Sequence, residues 1–373
     1  MYRPGSNIYN GVVVYLLLLV TALMAAQEPS RPSFVEFLNN IRTEALSRGI
    51  RQEIVDQALA GIEEPSATVI ERDRSQAEIV QTLEKYLSQR VTAAQITTAR
   101  EMMAKHHDLL EEISATYDVP PSLLISIWGF ESNFGRFAGV RPTVAALATL
   151  AYDPRRSTLF RRELFAALEI LNRGDIDLAS MKGSWAGAMG QVQFIPTSYL
   201  QYAEDYDGDG RRDIWGTTAD VFASIANYMR GQGWKNGESW GREVQLTPEA
   251  RRRIANDVER RTGSCSARRD MTAMLPASRW RELGVKTIDG GELPDTMRDA
   301  GLVTGESRAF LVHRNYDALL EYNCAHSYAV GVALLADAAT SSVEPNKIAR
   351  AVPAKNTKKA KPAAARRRVK RKS

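Results

Sequence analysis

The stretch LLISIWGFESNFG, residues 123–135, is the part of this sequence that says most about its fold. It predicts a helix, because Pro121 lies at a favoured helix start and Gly135 at a favoured helix end. Four of its residues follow the i, i+3, i+4, i+7 spacing of one helical face: Leu124, Ile127, Trp128 and Glu131. A carboxylate therefore lies on the side of the helix that we expect to be buried.

Glu131 allows two interpretations at this point. As a helix-surface carboxylate, or as one half of a structural ion pair, it would need no chemistry. A carboxyl group beside Trp128 and Phe130 instead loses solvation, which disfavours its ionised form and raises its pKa. An acid that is still protonated near neutral pH can donate to the leaving oxygen of a glycosidic bond. The second interpretation predicts a general acid.

The amino terminus carries the pattern of an export signal. Arg3 precedes Val12–Ala26, an uncharged apolar run of fifteen residues in a chain of 373. A membrane-spanning helix needs about 20 such residues, whereas the apolar part of a signal peptide needs roughly 7–15. We therefore expect residues 1–26 to be a signal peptide, with an uncleaved anchor as the alternative. No Cys lies near this run, which excludes a lipid-bearing cysteine.

The carboxyl terminus is strongly basic. Lys355–Ser373 contains ten Lys and Arg residues and no acidic residue, so the net charge of +5 for the whole chain falls to −5 when this segment is removed. The composition predicts that residues 341–373 form a disordered basic tail. This tail either touches an anionic surface of the cell envelope or is solvated without a specific partner. We expect no nucleic-acid partner.

The rest of the chain predicts a mostly α protein of the α+β class. Helical periodicity, including one long pattern over residues 93–117, predicts a helical flanking domain at 30–115. A core follows at 116–234. Residues 235–310 are rich in Gly, Thr and Arg and predict a small mixed or β-containing insert. A helical pattern returns in RAFLVHRNYDALLEYN and continues, which assigns 311–340 to helices that rejoin the core.

The second informative segment is GSWAGAMGQVQFIPTSY, residues 183–199. Its glycines allow close backbone approach, but it lacks the G-K-[ST] ending of a phosphate loop. Ser184, Gln191 and Gln193 are neutral hydrogen-bonding groups beside aromatic residues, a combination that suits a sugar or an N-acetyl group. The alternative is a glycine-rich packing turn without a ligand.

The third segment, DYDGDGRRD at residues 205–213, resembles the first half of a calcium-binding helix–loop–helix motif, with Gly210 at loop position six. Position twelve is Gly216 rather than Glu. The candidate ligands all offer oxygen: Asp205, Asp207, Asp209, the backbone carbonyl of Arg211, and Asp220 on the following helix. Three acids so close together repel one another unless a cation is bound. The alternative is a loop of Asx turns without metal.

Other chemistries lack their patterns. The four histidines show no H-E-x-x-H spacing, and no G-x-S-x-G occurs. Cys265 and Cys324 could pair in an exported protein, but sequence alone does not establish their connectivity. A disulfide and two free thiols therefore both remain open.

The three segments, in this order, resemble the lytic murein transglycosylase B family over Pro32–Asp337. The similarity is carried by VPPSLLISIWGFESNFGR, KGSWAGAMGQVQFIPTSYLQYAEDYDGDGRRDIW and YNCAHSYAVGV. The resemblance implies a lysozyme-like helical core with a flanking α domain and a small β domain. It also implies a carbon–oxygen lyase that cleaves the MurNAc–GlcNAc β-1,4 bond of peptidoglycan without water and leaves 1,6-anhydro-MurNAc ends.

The resemblance implies roles for individual residues. Glu131 corresponds to the single catalytic acid, which acts first as acid and then as base. The substrate-binding positions implied are Ser184, Gln193, Tyr228, Tyr322, Asn323, Tyr328 and, by spacing only, Tyr86. The acidic loop corresponds to a structural Ca²⁺ site whose loop is one residue longer before Asp220, and no cofactor is expected for catalysis. We expect a periplasmic monomer that is not a lipoprotein and that acts on glycan strands.

Two other functions remain possible from the sequence. A muramidase would need a second carboxylate as nucleophile or base, for which Asp153 is a candidate. A catalytically silent peptidoglycan-binding scaffold would keep the fold without activity. Such a scaffold is expected to lack the acid, and Glu131 is present.

Overall fold

The computed structural model describes residues 31–75 and 81–350 of the chain. The predicted signal peptide at 1–26 and the basic segment Lys355–Ser373 lie outside the described residues. Within the described part, no helix combines the length and the apolar character needed to cross a membrane. The architecture is mostly helical with small sheets, which confirms the predicted fold class.

Six helices come first within the described residues: α1 Phe34–Ser47, α2 Gln52–Leu59, α3 Ala67–Ser75, α4 Leu83–Arg90, α5 Ala93–Lys105 and α6 His107–Tyr117. Local side chains explain several of their starts. Ser33 and Glu36 form a capping box at α1. The hydroxyls of Thr82 and Thr92 accept backbone N–H groups at the starts of α4 and α5.

The helical pattern over residues 93–117 is interrupted. The backbone turns at His106, with φ −110° and ψ 22°, so α5 and α6 are separate helices. The His106 ring packs edge-on against Trp128 and Phe222, with ring centroids 6.0 and 5.5 Å apart. This tertiary contact lies at the break, so the single long helical pattern in the sequence corresponds to two helices.

A second group of helices follows: α7 Pro121–Ser132, α8 Thr143–Tyr152, α9 Ser157–Arg173, α10 Pro196–Tyr202 and α11 Thr218–Gly231. Two short strands lie among them, β1 Arg141–Pro142 and β2 Lys182–Gly183. They pair antiparallel, with Arg141 opposite Gly183. This ribbon joins the chain that leaves α7 to the loop that precedes α10.

The insert contains an antiparallel sheet and three short helices. The helices are α12 Pro248–Asp257, α13 Ser266–Asp270 and α14 Ala277–Glu282, and the strands are β3 Gly241–Gln245, β4 Lys286–Thr287, β5 Gly301–Thr304 and β6 Ala309–Val312. The strand order is β4-β3-β6-β5. A separate hydrophobic cluster packs on this sheet around Trp280, whose indole N–H donates to the Ala300 carbonyl at 2.9 Å.

The strand β6 corrects the expected helical pattern at its start. The helical pattern that begins at RAFLV runs over Ala309–Val312, but these residues pair with both β3 and β5. All four are buried, and a short fully apolar run does not distinguish a buried strand from a buried helix by periodicity.

The last helices in the described chain are α15 Arg314–Tyr322, α16 His326–Thr340 and α17 Pro345–Arg350. One hydrophobic cluster joins them to the first six helices and to α7–α11. Helix α16 packs against both α5 and α7. The cluster therefore crosses the expected boundary between a flanking domain at 30–115 and a core at 116–234.

The first residues of the expected disordered tail are structured. Arg100 on α5 donates to the carbonyls of Ala338 and Val343, at 2.9 and 2.8 Å, and α17 packs against α5. The prediction of disorder from residue 341 is wrong up to residue 350, because Ile348 packs against the hydrophobic core. The strongly basic part of the tail begins later.

Candidate active site

Glu131 lies in the last turn of α7. The sequence predicts one buried face, but this helix is buried on all sides, with Leu124 and Ile125 both fully inaccessible. Glu131 itself is only partly buried. The sequence predicts one buried face with Glu131 on it, whereas the whole helix is buried. The Glu131 carboxyl lies at the end of this core helix, where it is partly accessible to solvent.

The chain reverses directly after Glu131. Asn133 and Phe134 both have left-handed backbone angles, with φ of 52° and 58°. The Phe134 ring then folds back onto Gly129, where a Cβ atom would lie 2.7 Å from the ring. Gly129 therefore allows the tight reversal that ends α7 and leaves Glu131 at its edge.

The environment of Glu131 favours its protonated form. Burial raises the pKa of its carboxyl to about 7, and the Tyr328 hydroxyl and the Arg90 guanidinium act on this pKa in the opposite direction. Among the described residues, no second carboxylate acts on the Glu131 pKa. A group of this kind is available both as an acid and as a base near neutral pH.

Tyrosine rings lie next to Glu131 in a connected cluster. Tyr328 packs edge-on against Phe130 with centroids 5.8 Å apart, and it stacks with Tyr322 at 6.2 Å. Tyr228 contacts Tyr322 at 4.8 Å. Burial, followed by the charge of Glu131, raises the pKa of both Tyr322 and Tyr328. Three tyrosines expected at the site are thus close together, although they come from α11, α15 and α16.

The hydroxyls of these tyrosines differ in what they do. The Tyr322 hydroxyl donates to the Val192 carbonyl at 2.8 Å, and the Tyr228 hydroxyl donates to the Glu321 carbonyl at 2.7 Å. These two therefore hold backbone in place. The Tyr328 hydroxyl is buried and makes no regular hydrogen bond within the described residues, which leaves it free for the Glu131 carboxyl or a ligand.

Tyr86 and Asn323 complete the expected set. The Tyr86 ring lies 6.5 Å from the Phe130 ring, and burial together with the Glu131 charge raises the Tyr86 pKa despite the opposing Arg90 charge. The structure thus places Tyr86, which the resemblance implies by spacing only, in the surroundings of Glu131. Asn323 is exposed, and its side chain makes no hydrogen bond with other described residues.

Ser184 and Gln193 lie near the two ends of residues 182–195, the segment from β2 to the start of α10, which we call the site loop. The Ser184 hydroxyl accepts the backbone N–H groups of Ala186 and Ala188, so its own proton remains available to donate. Gln193 has a left-handed φ of 52°, and its side-chain amide donates to the Gly190 carbonyl at 2.9 Å. Both residues stabilise the loop that the Tyr322 hydroxyl also contacts.

Gln191 fixes the site loop to α7 rather than facing a ligand. Its side-chain oxygen accepts the Trp128 indole N–H at 2.7 Å, and its amide donates to the Trp215 carbonyl at 2.7 Å. Gln191 is 8% exposed. The sequence groups it with possible sugar-binding residues, whereas both of its polar groups have structural partners.

Arg90 is a site residue that the sequence interpretation missed. Its guanidinium donates to the Phe130 carbonyl and lies over the Phe130 ring, with the guanidinium carbon 4.9 Å from the centroid. The available signal was its position four residues after Tyr86, which places both side chains on one face of α4. That signal is weak without knowledge of what α4 packs against.

The acidic loop has the geometry of an incomplete cation site. One carboxylate oxygen from each of Asp205, Asp207 and Asp209 lies within 4.8 Å of the others. The same three side chains shape the loop by accepting backbone N–H groups, including those of Gly210 and Arg211. One carboxylate oxygen of Asp205 is buried without a hydrogen-bond partner among the described residues, an arrangement that suits a cation ligand. These residues fit a calcium ion.

Asp220 does not join that group. It is fully buried on α11, and its two oxygens accept the backbone N–H groups of Tyr206 and Asp213 at 2.8 and 2.7 Å. Burial raises its pKa to about 6. The expectation of a closing metal ligand is thus corrected: Asp220 tethers the two ends of the acidic loop, because its carboxylate lies beneath the loop.

The acidic loop and the site loop are connected by hydrogen bonds. Gln191 N–H donates to the Ile214 carbonyl at 2.8 Å, and the Trp215 indole N–H donates to the Lys182 carbonyl at 2.8 Å. The residues directly after the acidic loop therefore contact the loop that carries Ser184 and Gln193.

Cys265 and Cys324 form a disulfide, with their Cα atoms 5.7 Å apart. It joins the insert to the short connection between α15 and α16. Because Tyr322 and Asn323 directly precede Cys324, the disulfide attaches the insert beside the tyrosine cluster.

Asp153, the candidate second carboxylate, has another partner. It accepts hydrogen bonds from Arg155 at 2.8 and 3.0 Å, and this guanidinium holds the Asp153 pKa below its usual value. Asp153 lines a cavity of about 290 Å³ together with Arg31 and Arg74. Glu131 is not among the residues that line that cavity.

Comparison with known proteins identifies the family of the chain. The sequence profile of the transglycosylase SLT domain family matches residues 33–337. The chain is 36% identical over 155 residues to the membrane-bound lytic murein transglycosylase B of Escherichia coli K12, and this match covers 41% of the chain and 43% of the E. coli protein. The chain therefore matches less than half the length of this curated relative.

Solved structures extend the similarity. SltB3 of Pseudomonas aeruginosa, in complex with NAG-anhNAM-pentapeptide, is 38% identical, with a TM-score of 0.73 over 82% of this chain and 79% of that one. The lytic transglycosylase Slt35 of E. coli, in complex with calcium, is 24% identical, with a TM-score of 0.67 over 85% of this chain and 95% of that one. The second match shows similarity of fold alone.

The fold and the site define a mostly helical, lysozyme-like protein that presents one acid from a buried helix to a group of tyrosines. Within this class, the chain belongs to the transglycosylase SLT domain family and to its lytic murein transglycosylase B branch.

Proposed function

We propose that this protein is a lytic transglycosylase that cleaves the MurNAc–GlcNAc β-1,4 bond of peptidoglycan. The observation that carries the proposal is Glu131, a carboxyl group whose pKa is raised by burial to about 7 and which no other described carboxylate influences. A hydrolase of the lysozyme type divides its work between two carboxylates. A single group near its pKa suits a reaction that needs an acid first and a base later.

The reaction requires no water. Protonated Glu131 would donate its proton to the glycosidic oxygen, and the bond between that oxygen and the anomeric carbon would break. The cation that forms on the MurNAc ring would be stabilised by neutral groups, since tyrosines surround the acid. Ionised Glu131 would then take the proton from the C6 hydroxyl, while the oxygen of that hydroxyl forms a bond to the anomeric carbon of the same sugar. The acid is regenerated and a 1,6-anhydro ring is left.

Replacing Glu131 by Gln should reduce cleavage of purified sacculi by about 10²-fold or more, because the amide keeps the shape but does not exchange the proton. Mass spectrometry of wild-type products should show ends that are one water lighter than hydrolysed ends. Asp153→Asn is the matched control and should keep activity within about 2-fold, since that carboxylate pairs with Arg155.

Other results would support the alternatives. Hydrated ends together with an inactive Asp153→Asn variant would indicate a muramidase. An inert wild-type protein that still binds sacculi would indicate a peptidoglycan-binding scaffold. Near-normal turnover by Glu131→Gln would refute the assignment of the acid.

We also propose that the acidic loop binds a structural calcium ion through Asp205, Asp207, Asp209 and the Arg211 carbonyl. The unpartnered buried oxygen of Asp205 and the clustered carboxylates support this, and a related E. coli structure is in complex with calcium. When bound, the ion would offset the repulsion among three carboxylates. The ordered acidic loop would then support the site loop, because the Gln191 backbone N–H donates to the Ile214 carbonyl directly after the acidic loop.

The proposed location is the periplasm, where the substrate is found and where a disulfide is stable. The signal pattern at residues 1–26 supports export. We propose that the protein acts as a monomer on glycan strands, and that Lys355–Ser373 contacts anionic envelope surfaces.

A further inference from the structure

Arg90 contacts the peptide segment that carries the acid. Its guanidinium donates to the carbonyl of Phe130, the residue directly before Glu131, and it also lies over the Phe130 ring. A charge-assisted hydrogen bond to a main-chain carbonyl is stronger than a neutral one. Because Arg90 lies on α4 and Phe130 on α7, this contact holds two helices in register at the acid.

Glu131 is otherwise surrounded by neutral groups. The titratable or charged groups that interact with its carboxyl are Tyr86 and Arg90 on α4, Tyr322 on α15 and Tyr328 on α16, while Tyr228 on α11 and His106 between α5 and α6 lie one contact further away. Of these, Tyr228 contacts Tyr322, and His106 contacts Trp128 rather than Glu131. Acidic residues on the same helices, such as Glu84 on α4 and Glu321 on α15, have partners elsewhere. Within the described chain, Arg90 is the one cation that acts on the Glu131 carboxyl.

The helix that carries Arg90 is fixed from its other end. Glu84 is 5% exposed, and one of its oxygens accepts the backbone N–H groups of Ser307 and Arg308 at 2.7 and 3.0 Å. These residues form the turn between β5 and β6. Close contact is possible because position 305 is Gly: a Cβ atom there would lie 2.4 Å from the Glu84 carboxylate. The sheet of the insert thus anchors α4.

We propose that Arg90 is a positioning residue for Glu131, which holds the Phe130–Glu131 backbone and keeps a permanent positive charge beside the carboxyl. Arginine does not lose its proton in proteins, so this charge is constant across the working pH range. Burial favours protonated Glu131 for the first proton transfer, and the Arg90 charge favours ionised Glu131 for the second. The inference rests on the proposed function, because both transfers belong to that reaction.

Two variants separate charge from geometry. Arg90→Gln keeps an N–H donor but removes the charge, whereas Arg90→Lys keeps the charge but loses the planar donor group. The measurement is the pH profile of kcat/KM on solubilised glycan strands. Wild-type activity should fall on the alkaline side as Glu131 ionises, since the first step needs its proton.

The expected shifts follow from the sign of the charge. Without the cation, ionised Glu131 is less stable, so its pKa rises and the alkaline limb of Arg90→Gln should move up by about half a pH unit or more. The alkaline limb of Arg90→Lys should coincide with that of the wild type. Both variants should lose about 10-fold or more in rate at their optimum, because the backbone before Glu131 is less well held.

Arg100→Gln is the matched control. Arg100 also donates to backbone carbonyls between helices, at Ala338 and Val343, but it does not contact the site. Its replacement should lower the melting temperature and leave the alkaline limb unchanged. Thermal melts of every variant show whether a loss of rate is only a loss of folded protein.

Two outcomes would overturn the role of Arg90. One is an alkaline limb of Arg90→Gln that superimposes on the wild-type limb. The other is an alkaline limb of Arg90→Lys that moves as far as that of Arg90→Gln, because the effect would then come from packing rather than from charge. If instead Glu131→Gln stays active, the proposed function is rejected, and the inference about Arg90 is rejected with it. An inactive Glu131→Gln together with an unmoved Arg90→Gln limb rejects only the inference about Arg90.

Discussion

At the scale of single residues, the balance of charge at Glu131 is the property from which the chemistry follows. Burial at the end of α7 makes the ionised carboxyl unfavourable, while Arg90 and Tyr328 make it more favourable. A buried carboxyl with neither partner would hold its proton too strongly to act as a base afterwards. The site thus combines desolvation with a limited opposing field, and the pKa stays near neutrality.

The same balance predicts a pH-dependent cost in stability. The folded-state pKa of Glu131, about 7, lies above the 4.5 of an unperturbed Glu side chain, so the folded protein binds more protons than the unfolded chain between these pH values. Stability contributed by this group is present at low pH and falls as pH rises through 7. Glu131→Gln removes this pH dependence. The free energy of unfolding of the variant, relative to that of the wild type, should therefore be higher at pH 8 than at pH 5 by about 1–3 kcal/mol.

Urea unfolding at the two pH values measures this difference. Glu111→Gln, which removes an exposed carboxylate from α6, is the control and should track the wild type at both pH values. A Glu131→Gln variant whose relative stability is the same at pH 5 and pH 8 would contradict a raised pKa at this position.

At the scale of elements, α4 is the link between the insert and α7, the helix that carries Glu131. Its first turn is bonded to the turn between β5 and β6 through Glu84, and its last residue is bonded to α7 through Arg90. Helix α16 approaches α7 from another side at Gly331, where a Cβ atom would lie 2.7 Å from the Phe130 ring. Phe130 is therefore held by two helices, and Glu131 is held with it.

Replacing Glu84 by Ala should destabilise the protein by about 2–4 kcal/mol, because buried N–H groups of the β5–β6 turn lose their acceptor. Backbone hydrogen bonds keep the Glu84 pKa below its usual value despite its burial. Its contribution is therefore present above the unfolded pKa and is lost as pH falls through the folded pKa. Urea melts at neutral and acidic pH should show the two proteins converging at low pH.

Glu169→Ala provides the comparison, since Glu169 pairs with Arg173 on the exposed side of α9. It should leave the unfolding midpoint nearly unchanged. A midpoint for Glu84→Ala that is equally unaffected would mean that the turn does not depend on this carboxylate.

At the scale of the whole molecule, the site loop is held by hydrogen bonds from several distant parts of the chain. The acidic loop supports it through Ile214 and Trp215, α7 through the Gln191–Trp128 bond, and α15 through the Tyr322 hydroxyl. The disulfide between Cys265 and Cys324 attaches the insert next to Tyr322. Stability of the acidic loop is therefore expected to affect the whole domain rather than one surface loop.

Calcium should raise the melting temperature more than magnesium does, because a flexible set of oxygens suits the larger ion. Binding to the folded state alone stabilises by mass action. Thermal melts after removal of metal, then with each ion added back, measure the effect. A variant with both Asp205→Asn and Asp209→Asn should lose the calcium response, whereas Asp108→Asn, on an exposed side chain of α6, should retain it.

Identical melting temperatures of wild-type protein in calcium and in chelator would remove these aspartates from the list of ligands. A response that persists in the double variant would place the ion elsewhere.

Much of the site was predictable from short stretches of sequence. Consecutive residues carry the helix signals around 123–135, the glycine-rich site loop and the alternating aspartates, and each depends on spacing within one segment. The similarity of these segments to one family also suggested Tyr86, Tyr228 and Tyr328 as neighbours of Glu131. For Tyr86 the similarity rested on spacing only, and the structure places its ring near Phe130, with the Glu131 charge raising the Tyr86 pKa after burial.

The sequence by itself thus determined the fold class, and it predicted a candidate acid and an oxygen-rich loop. Only the tertiary structure decided that α7 is buried on all sides, that Asp220 tethers its loop, and that Arg90 lies beside Glu131. These properties depend on contacts between residues far apart in the chain, such as Arg90 with Phe130 across 40 positions and Glu84 with Ser307 across 223. Desolvation and long-range charge set the pKa of Glu131, and neither can be assigned before the helices pack.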